Sequence, residues 1–201
     1  FVGSGAEVHL GALGKNFVYP LFFSPVVAVV AGGAVYLLLK SARLAPDHRT
    51  RTLDALHYLS AGAASFARGL NDTPKMVALL LVAQGLDLRW GFAAVALTIA
   101  LGALLDAERV AETLGKKVTD MNPGQGFAAN LATAVLVVTA SFHSLPVSTT
   151  HVSVGALLGI GITTRQAKWR KVGEILLAWV STLPCAALLA ALAYWLGRQW
   201  L

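Results

Sequence analysis

Two polar interruptions in otherwise apolar sequence carry the residues that could do chemistry. The first, residues 66–81 (FARGLNDTPKMVALLL), sets Arg68, Asn71, Asp72 and Lys75 in a stretch apolar enough to lie in a lipid bilayer. The second, residues 144–155 (SLPVSTTHVSVG), gathers Ser148, Thr149, Thr150, His151 and Ser153 behind Pro146. Ionisable groups at membrane depth are expensive to bury, so they are read first as functional. With Ser148 as N-cap, a helix starting at Thr149 presents free backbone N–H groups and a positive dipole end beside the hydroxyls of Ser148, Thr149 and Thr150. That is an oxyanion-binding arrangement. Asn71 and Asp72 add amide and carboxylate oxygens, the ligands a hard cation takes. Burying a multiply charged anion is costly, and an accompanying cation lowers the penalty. An anion site beside a cation site is a physical basis for symport.

Blander readings exist for each group. A capped Ser-Thr-Thr helix start is common, and Asp72 could do no more than neutralise Arg68 or Lys75. His151 reads as a satisfied interior histidine before it reads as a proton relay. Ser148 or Ser144 with His151 would suggest an intramembrane hydrolase, but no nucleophile-elbow pattern accompanies them, and no catalytic residue is expected. Finding both interruptions in one membrane domain moves the balance towards function.

The elements that must hold these groups are membrane helices. Of 201 residues, 56% are hydrophobic and 13% charged, against roughly 25% charged in soluble domains. The net charge of +6 sits in short loops between apolar segments, which reads as cytoplasmic anchoring and not as a nucleic-acid surface. The single cysteine, Cys185, excludes an intrachain disulfide and a cysteine-cluster metal site. No metal beyond sodium is expected, and no cofactor beyond sodium or a proton as coupling ion.

Taken in order, residues 17–39 are free of charge and long enough to cross a hydrocarbon core of about 30 Å, forming the clearest transmembrane helix. Residues 40–54 form a basic loop. Residues 55–86 read as a broken helix or hairpin, with small residues at 60–65 that let helices approach closely. Gly69, Asn71 and Asp72 weaken the helix interior, and Thr73-Pro74 would cap a second half-helix, so the backbone from 68 to 73 is expected to unwind. Residues 90–105 form a span anchored by Trp90. Residues 106–126 are polar and mixed in charge, consistent with a short interfacial helix. Residues 127–162 read as a broken helix or re-entrant hairpin, residues 165–171 as a second cytoplasmic loop, and residues 175–196 as the last transmembrane helix. The fold class is therefore all-α, a polytopic membrane protein with broken or re-entrant helices. The opening residues lack a signal-peptide pattern, and sequence upstream of Phe1 is expected.

Residues 69–75 (GLNDTPK) and 145–161 (LPVSTTHVSVGALLGIG) resemble the two hallmark motifs of the PiT family of inorganic phosphate transporters, a Gly-x-Asn-Asp signature and a Pro-Val-Ser-Thr-Thr-His signature. The order of segments resembles the second of that family's two inverted repeats along almost the whole chain. The resemblance implies symport of inorganic phosphate with sodium or protons in a bacterial inner membrane. It implies phosphate contacts from Asp72, Thr73, Ser148, Thr149 and Thr150, and cation contacts from Asn71, Asp72, Ser148 and Thr149. Arg68, Lys75 and His151 would be accessory charges. Many members carry histidine where Arg68 stands, and first repeats continue Val-Ala-Asn where Thr73-Pro74-Lys75 follows here, which leaves the coupling ion open. Only one copy of each motif is present where the resemblance implies two, so the chain is expected to be one half of an inverted-repeat transporter. The first-repeat half is expected from missing N-terminal sequence or another chain, with a homo-oligomer as the assembled form. A sulfate permease and a non-transporting membrane scaffold are the alternatives.

Overall fold

Apolar runs and helix caps become six α-helices in the computed structural model, which describes residues 11, 14–44, 46–80, 87–112 and 118–200. A π-helical turn, Gly14–Val18, leads into α1, Tyr19–Ser41. There follow α2 Arg51–Leu80, α3 Leu88–Glu112, α4 Pro123–Phe142, α5 Thr149–Thr163 and α6 Trp169–Trp200. Among the described residues β structure is limited to an isolated antiparallel bridge between Thr119 and Ala167. Among the described residues four stretches are long and apolar enough to cross a membrane: Tyr19–Ser41, Leu88–Leu105, Pro123–Phe142 and Trp169–Gly197. The chain is an all-α, multi-pass membrane protein.

The expected break in the first polar segment does not occur. α2 is one continuous helix of 30 residues with Pro74 inside it, and residues 81–86 of the segment lie outside the described residues. A proline in a helix interior removes one hydrogen bond and costs about 3 kcal/mol, and Asn and Asp favour turns by bonding nearby backbone. Here Asn71 and Asp72 instead bond to Ser141 and Thr149 of neighbouring elements. Tertiary partners have taken over the role a turn would have played, so Thr73 caps nothing.

The second polar segment does break. α4 begins at Pro123, ahead of the expected 127, because Asn122 accepts from the Gln125 backbone amide and the Gln125 side chain returns to Asn122 in a capping box. α4 ends at Phe142, and Ser144 takes a left-handed φ of 53°. The Leu145 amide reaches back to the Ala140 carbonyl at 2.8 Å, the bond that closes a Schellman turn. Ser148 then caps α5, its side chain accepting from the His151 amide at 3.3 Å. The charged stretch expected to form a separate interfacial helix is partly the end of α3, which runs to Glu112.

Both outer ends of the α4–α5 hairpin lie at the end of the molecule that holds the basic loops. Tyr36 donates to both Asp47 carboxylate oxygens at 2.8 and 3.1 Å, and the Gln125 side chain donates to Asp47 at 3.0 Å. Lys40 adds an ion pair to Asp47 at 3.5 Å, and Lys168 pairs with Asp120 at 2.7 Å. Burial opposes the Asp47 charge, but the Tyr36 hydroxyl, the Gln125 amide and the Lys40 ammonium outweigh it and hold the carboxyl below its ordinary range. Loops 42–50, 118–122 and 164–168 are thereby tied together. The hairpin tip, residues 143–148, points to the opposite end. With 15 residues, about 22 Å at 1.5 Å per residue, α5 is too short to cross the hydrocarbon core.

α5 is held against α1 through backbone-close packing. A Cβ on Gly159 would lie 2.0 Å from the Val29 carbonyl oxygen, and one on Gly155 2.5 Å from that of Pro25. On the other side, a Cβ on Gly32 would lie 2.3 Å from the Ala156 oxygen. This is small-xxx-small packing, in which the absence of side chains brings two helix backbones together. α2 packs on α4 through Ala67, Ala134 and Val137, with Ala28 of α1 and Val152 of α5 completing that core. α6 touches the rest mainly near its start, where Val172 and Ile175 join Val118 and Ile160. None of its apolar window is buried (0%), which suits a helix facing hydrocarbon.

Candidate functional site

The site forms where the middle of α2 meets the hairpin tip. Asp72 accepts from the Thr149 hydroxyl through Oδ2 at 2.9 Å and pairs through Oδ1 with Lys75 Nζ at 3.0 Å. Arg68, one turn earlier on the same face of α2, donates from Nε to Thr149 Oγ1 at 3.2 Å and from Nη2 to Thr150 Oγ1 at 3.4 Å. Lys75 also donates to the side-chain oxygen of Asn71 and, at 2.7 Å, to the Val147 carbonyl. Asn71 donates in turn to Ser141 Oγ at 2.9 Å, and Ser141 donates to the Val137 carbonyl at 2.8 Å. Asn71 and Thr149 are 6% and 5% exposed, so their bonds form largely away from water, where unpaired groups would be costly, while the Lys75–Asp72 and Arg68–Thr150 bonds are open to solvent.

Of the residues singled out from sequence, Arg68, Asn71, Asp72, Lys75, Thr149 and Thr150 are joined in this one network. Ser148 belongs to it through the chain, its hydroxyl committed to capping α5. Thr73 lines the neighbouring cleft instead. His151 turns away. Its Nδ1 lies 3.5 Å from the Leu21 carbonyl of α1, and its ring lies 3.7 Å from that of Trp179 in α6, with 31° between the planes.

The Leu21 contact has a local cause. Pro25 has no N–H to give the carbonyl four residues back, so the Leu21 oxygen is free for other donors, and Ser24 Oγ at 3.2 Å joins His151 there. A carbonyl partner requires that Nδ1 carry the proton. His151 is thus the satisfied interior histidine, with a ring that fastens α5 to α1 and α6. The Ser148 hydroxyl meets a backbone amide and His151 Nδ1 a carbonyl, which is no nucleophile–base pair.

Beside the network runs a cleft of about 860 Å³ between α2, α3, α4 and the edge of α5. Its polar lining includes His57, Ser65, Arg68, Asn130, Thr133 and Ser153. Along α2 it extends from His57 to Thr73, about 24 Å at 1.5 Å per residue, and so leads from the loop end to the Arg68 guanidinium. Asn130 and Thr133 were legible as polar groups within an apolar helix, a signal that sequence reasoning passed over. Ser141 and the Val147 carbonyl offered no such signal, since only the fold brings them to Asn71 and Lys75.

Lys75 thus pairs with the Asp72 carboxylate while Arg68 reaches the Thr149 and Thr150 hydroxyls at the positive end of the α5 dipole, leaving an excess of positive charge with hydroxyls beside it. The arrangement suits an oxyanion. The profile of the phosphate transporter family matches residues 42–190. The chain belongs to this family. It is 35% identical over 187 residues to a protein of Rhizobium meliloti (strain 1021) named a probable low-affinity inorganic phosphate transporter, covering 87% of this chain and 56% of the relative. A Bacillus subtilis (strain 168) protein of the same name is 30% identical over 191 residues, covering 88% of this chain and 57% of the relative. One from Mycobacterium leprae (strain TN) is 29% identical over 209 residues, covering 97% and 50%. The chain thus spans about half the length of these relatives. No solved structure shows significant similarity to it. The family is one of transporters and not of enzymes, and the resemblance carried by the two motifs holds.

Proposed function

We propose that the chain forms one half of a bacterial inner-membrane symporter that moves inorganic phosphate with sodium or protons, its fold one of two inverted repeats. The observation that carries this reading is the Arg68–Asp72–Thr149 cluster at the capped start of α5. Phosphate would approach Arg68 through the cleft, then exchange the Arg68–Thr149 and Arg68–Thr150 bonds for bonds to its own oxygens. Backbone N–H groups in the first turn of α5 would complete its shell. Asp72 would lose its Thr149 donor as the anion binds, which couples anion entry to the charge state around that carboxylate. The α4–α5 hairpin would be re-entrant, holding this turn within the membrane, with the other half of the site supplied by the rest of the transporter.

The test is radiolabelled phosphate uptake into proteoliposomes by the protein with its full native sequence, under imposed sodium or proton gradients, with Asp72→Asn alongside. Gradient-driven uptake that falls at least about 10-fold in the variant is expected, since charge-assisted bonds at a half-buried site are worth about 1.5–3 kcal/mol. Uptake of sulfate in preference to phosphate, or no uptake above empty liposomes by correctly inserted protein, would overturn the phosphate reading.

A further inference from the structure

Lys75 sits in a cage of oxygens. Its Nζ faces Asn71 Oδ1, Asp72 Oδ1 at 3.0 Å and the Val147 carbonyl at 2.7 Å. Amide, carboxylate and carbonyl oxygens converging on one point are the ligand chemistry of a hard cation. Here the cation at the centre is an ammonium, whose donors number as many as these acceptors.

The cage is built and not a chance reach of a long side chain. Asn71 spends its amide nitrogen on Ser141 Oγ at 2.9 Å, and Ser141 spends its own proton on the Val137 carbonyl at 2.8 Å. That chain fixes which face of the amide meets Lys75. The Val147 carbonyl lies just before the Ser148 cap of α5, outside any helix, and is presented by the hairpin tip. Asp72 is fixed on its other oxygen by Thr149. Each wall is thus held from behind by a different element, α4, the tip or α5, while α2 supplies the ammonium.

Lys75 also differs from Arg68 in what it can do for an anion. The three Lys75 donors are spent on cage oxygens, so binding an oxyanion would mean giving up at least one charge-assisted bond. Arg68 holds only hydroxyls, at 3.2 and 3.4 Å, which an anion can displace. The two basic residues divide the work: Arg68 faces the substrate, and Lys75 balances the carboxylate.

We propose that Lys75 is a built-in cation: its ammonium occupies the position where Asn71, Asp72 and the Val147 carbonyl would otherwise hold sodium, so this half of the site binds its oxyanion without a sodium ion of its own. The consequence for transport rests on the phosphate reading above; the occupancy of the cage does not. Any sodium that couples to transport binds elsewhere, and Asn71 and Asp72 serve the ammonium.

The test uses the protein with its full native sequence, purified in detergent. Binding of radioactive sodium is measured in phosphate-free buffer, and binding of inorganic phosphate is measured across a range of sodium concentrations. Lys75→Ala empties the cage and is expected to gain about one sodium ion per chain over the wild type. Asp72→Asn combined with Lys75→Ala is expected to lose that gain. Phosphate affinity of Lys75→Ala should rise with sodium roughly 10-fold more than that of the wild type. Lys75→Ser, which leaves room for a cation and adds a hydroxyl ligand, serves if the alanine variant unfolds. A folded Lys75 variant with unchanged sodium binding would overturn the built-in cation. Gained sodium with no phosphate binding in any form, wild type included, would overturn the phosphate reading and leave the cage assignment standing.

Discussion

Replacing Gly159 with alanine sets two effects against each other, and the structure decides which wins. Alanine is the better helix former, by about 1 kcal/mol over glycine in a helix interior. A Cβ at position 159, however, would lie 2.0 Å from the Val29 carbonyl oxygen and 2.8 Å from the Val29 carbonyl carbon. Ordinary contact begins at about 3.4 Å, and the obstacle is backbone, which cannot rotate away. α1 and α5 must separate by more than about 1 Å, and the 3.5 Å contact from His151 to the Leu21 carbonyl would open with them. Overpacking of this kind costs about 1–3 kcal/mol, and losing a hydrogen bond adds about 1 kcal/mol. After subtracting the propensity gain, a net loss of about 2 kcal/mol is expected. For a protein of this size that corresponds to roughly 4–8 °C in the unfolding midpoint. Gly62 in α2 provides the contrast, because nothing lies within 4 Å of a Cβ there. Gly62→Ala is expected to gain about 0.5–1 kcal/mol from propensity alone. Thermal unfolding of both variants in the same detergent reads the difference. A Gly159→Ala midpoint equal to or above the wild type would refute the argument that backbone contact between α1 and α5 holds α5 in place.

Two further predictions concern the groups that tie the elements together. Asp47 has a carboxyl held below its ordinary range, so its contribution to stability is present in full above about pH 4, the ordinary carboxylate value. It is lost as pH falls through the lower folded-state pKa. The difference in unfolding midpoint between wild type and Asp47→Asn should therefore be largest near neutrality and shrink on acidification; a pH-independent difference would count against the role given to the Tyr36, Gln125 and Lys40 contacts. His151→Phe retains a ring for Trp179 but no donor for the Leu21 carbonyl, and should cost about 1 kcal/mol. His151→Gln can still donate and should recover part of that loss, an order of effects that thermal unfolding checks and that a proton-relay role would not produce.

Much of the site was legible because membrane sequence makes polar residues conspicuous. Arg68, Asp72 and Lys75 stand out in apolar surroundings, and Ser148 could be named as the α5 cap because its hydroxyl acts within a single turn. The capping box at Asn122 and Gln125 was equally local and could have placed the start of α4. Gly155 and Gly159 stood at helical spacing for close packing, yet only their neighbours show that Val29 and Pro25 lie against them.

The sequence by itself determined the apolar spans, the Ser148 cap of α5, the basic loops and the types of residue available for an anion, because these depend on hydropathy and on bonds within a turn or two. It could not decide whether α2 breaks at Pro74. Intrinsic propensity argued for unwinding, and the opposing terms come from Ser141 and Thr149, about seventy to eighty residues away in the chain. Tertiary structure also separated the roles of neighbouring motif residues: Thr149 and Thr150 face Arg68, while His151 meets a carbonyl that Pro25 leaves free. Which oxygens Lys75 meets depends on three positions that are set by a helix, a hairpin tip and a cap, and these come together only when the chain has folded.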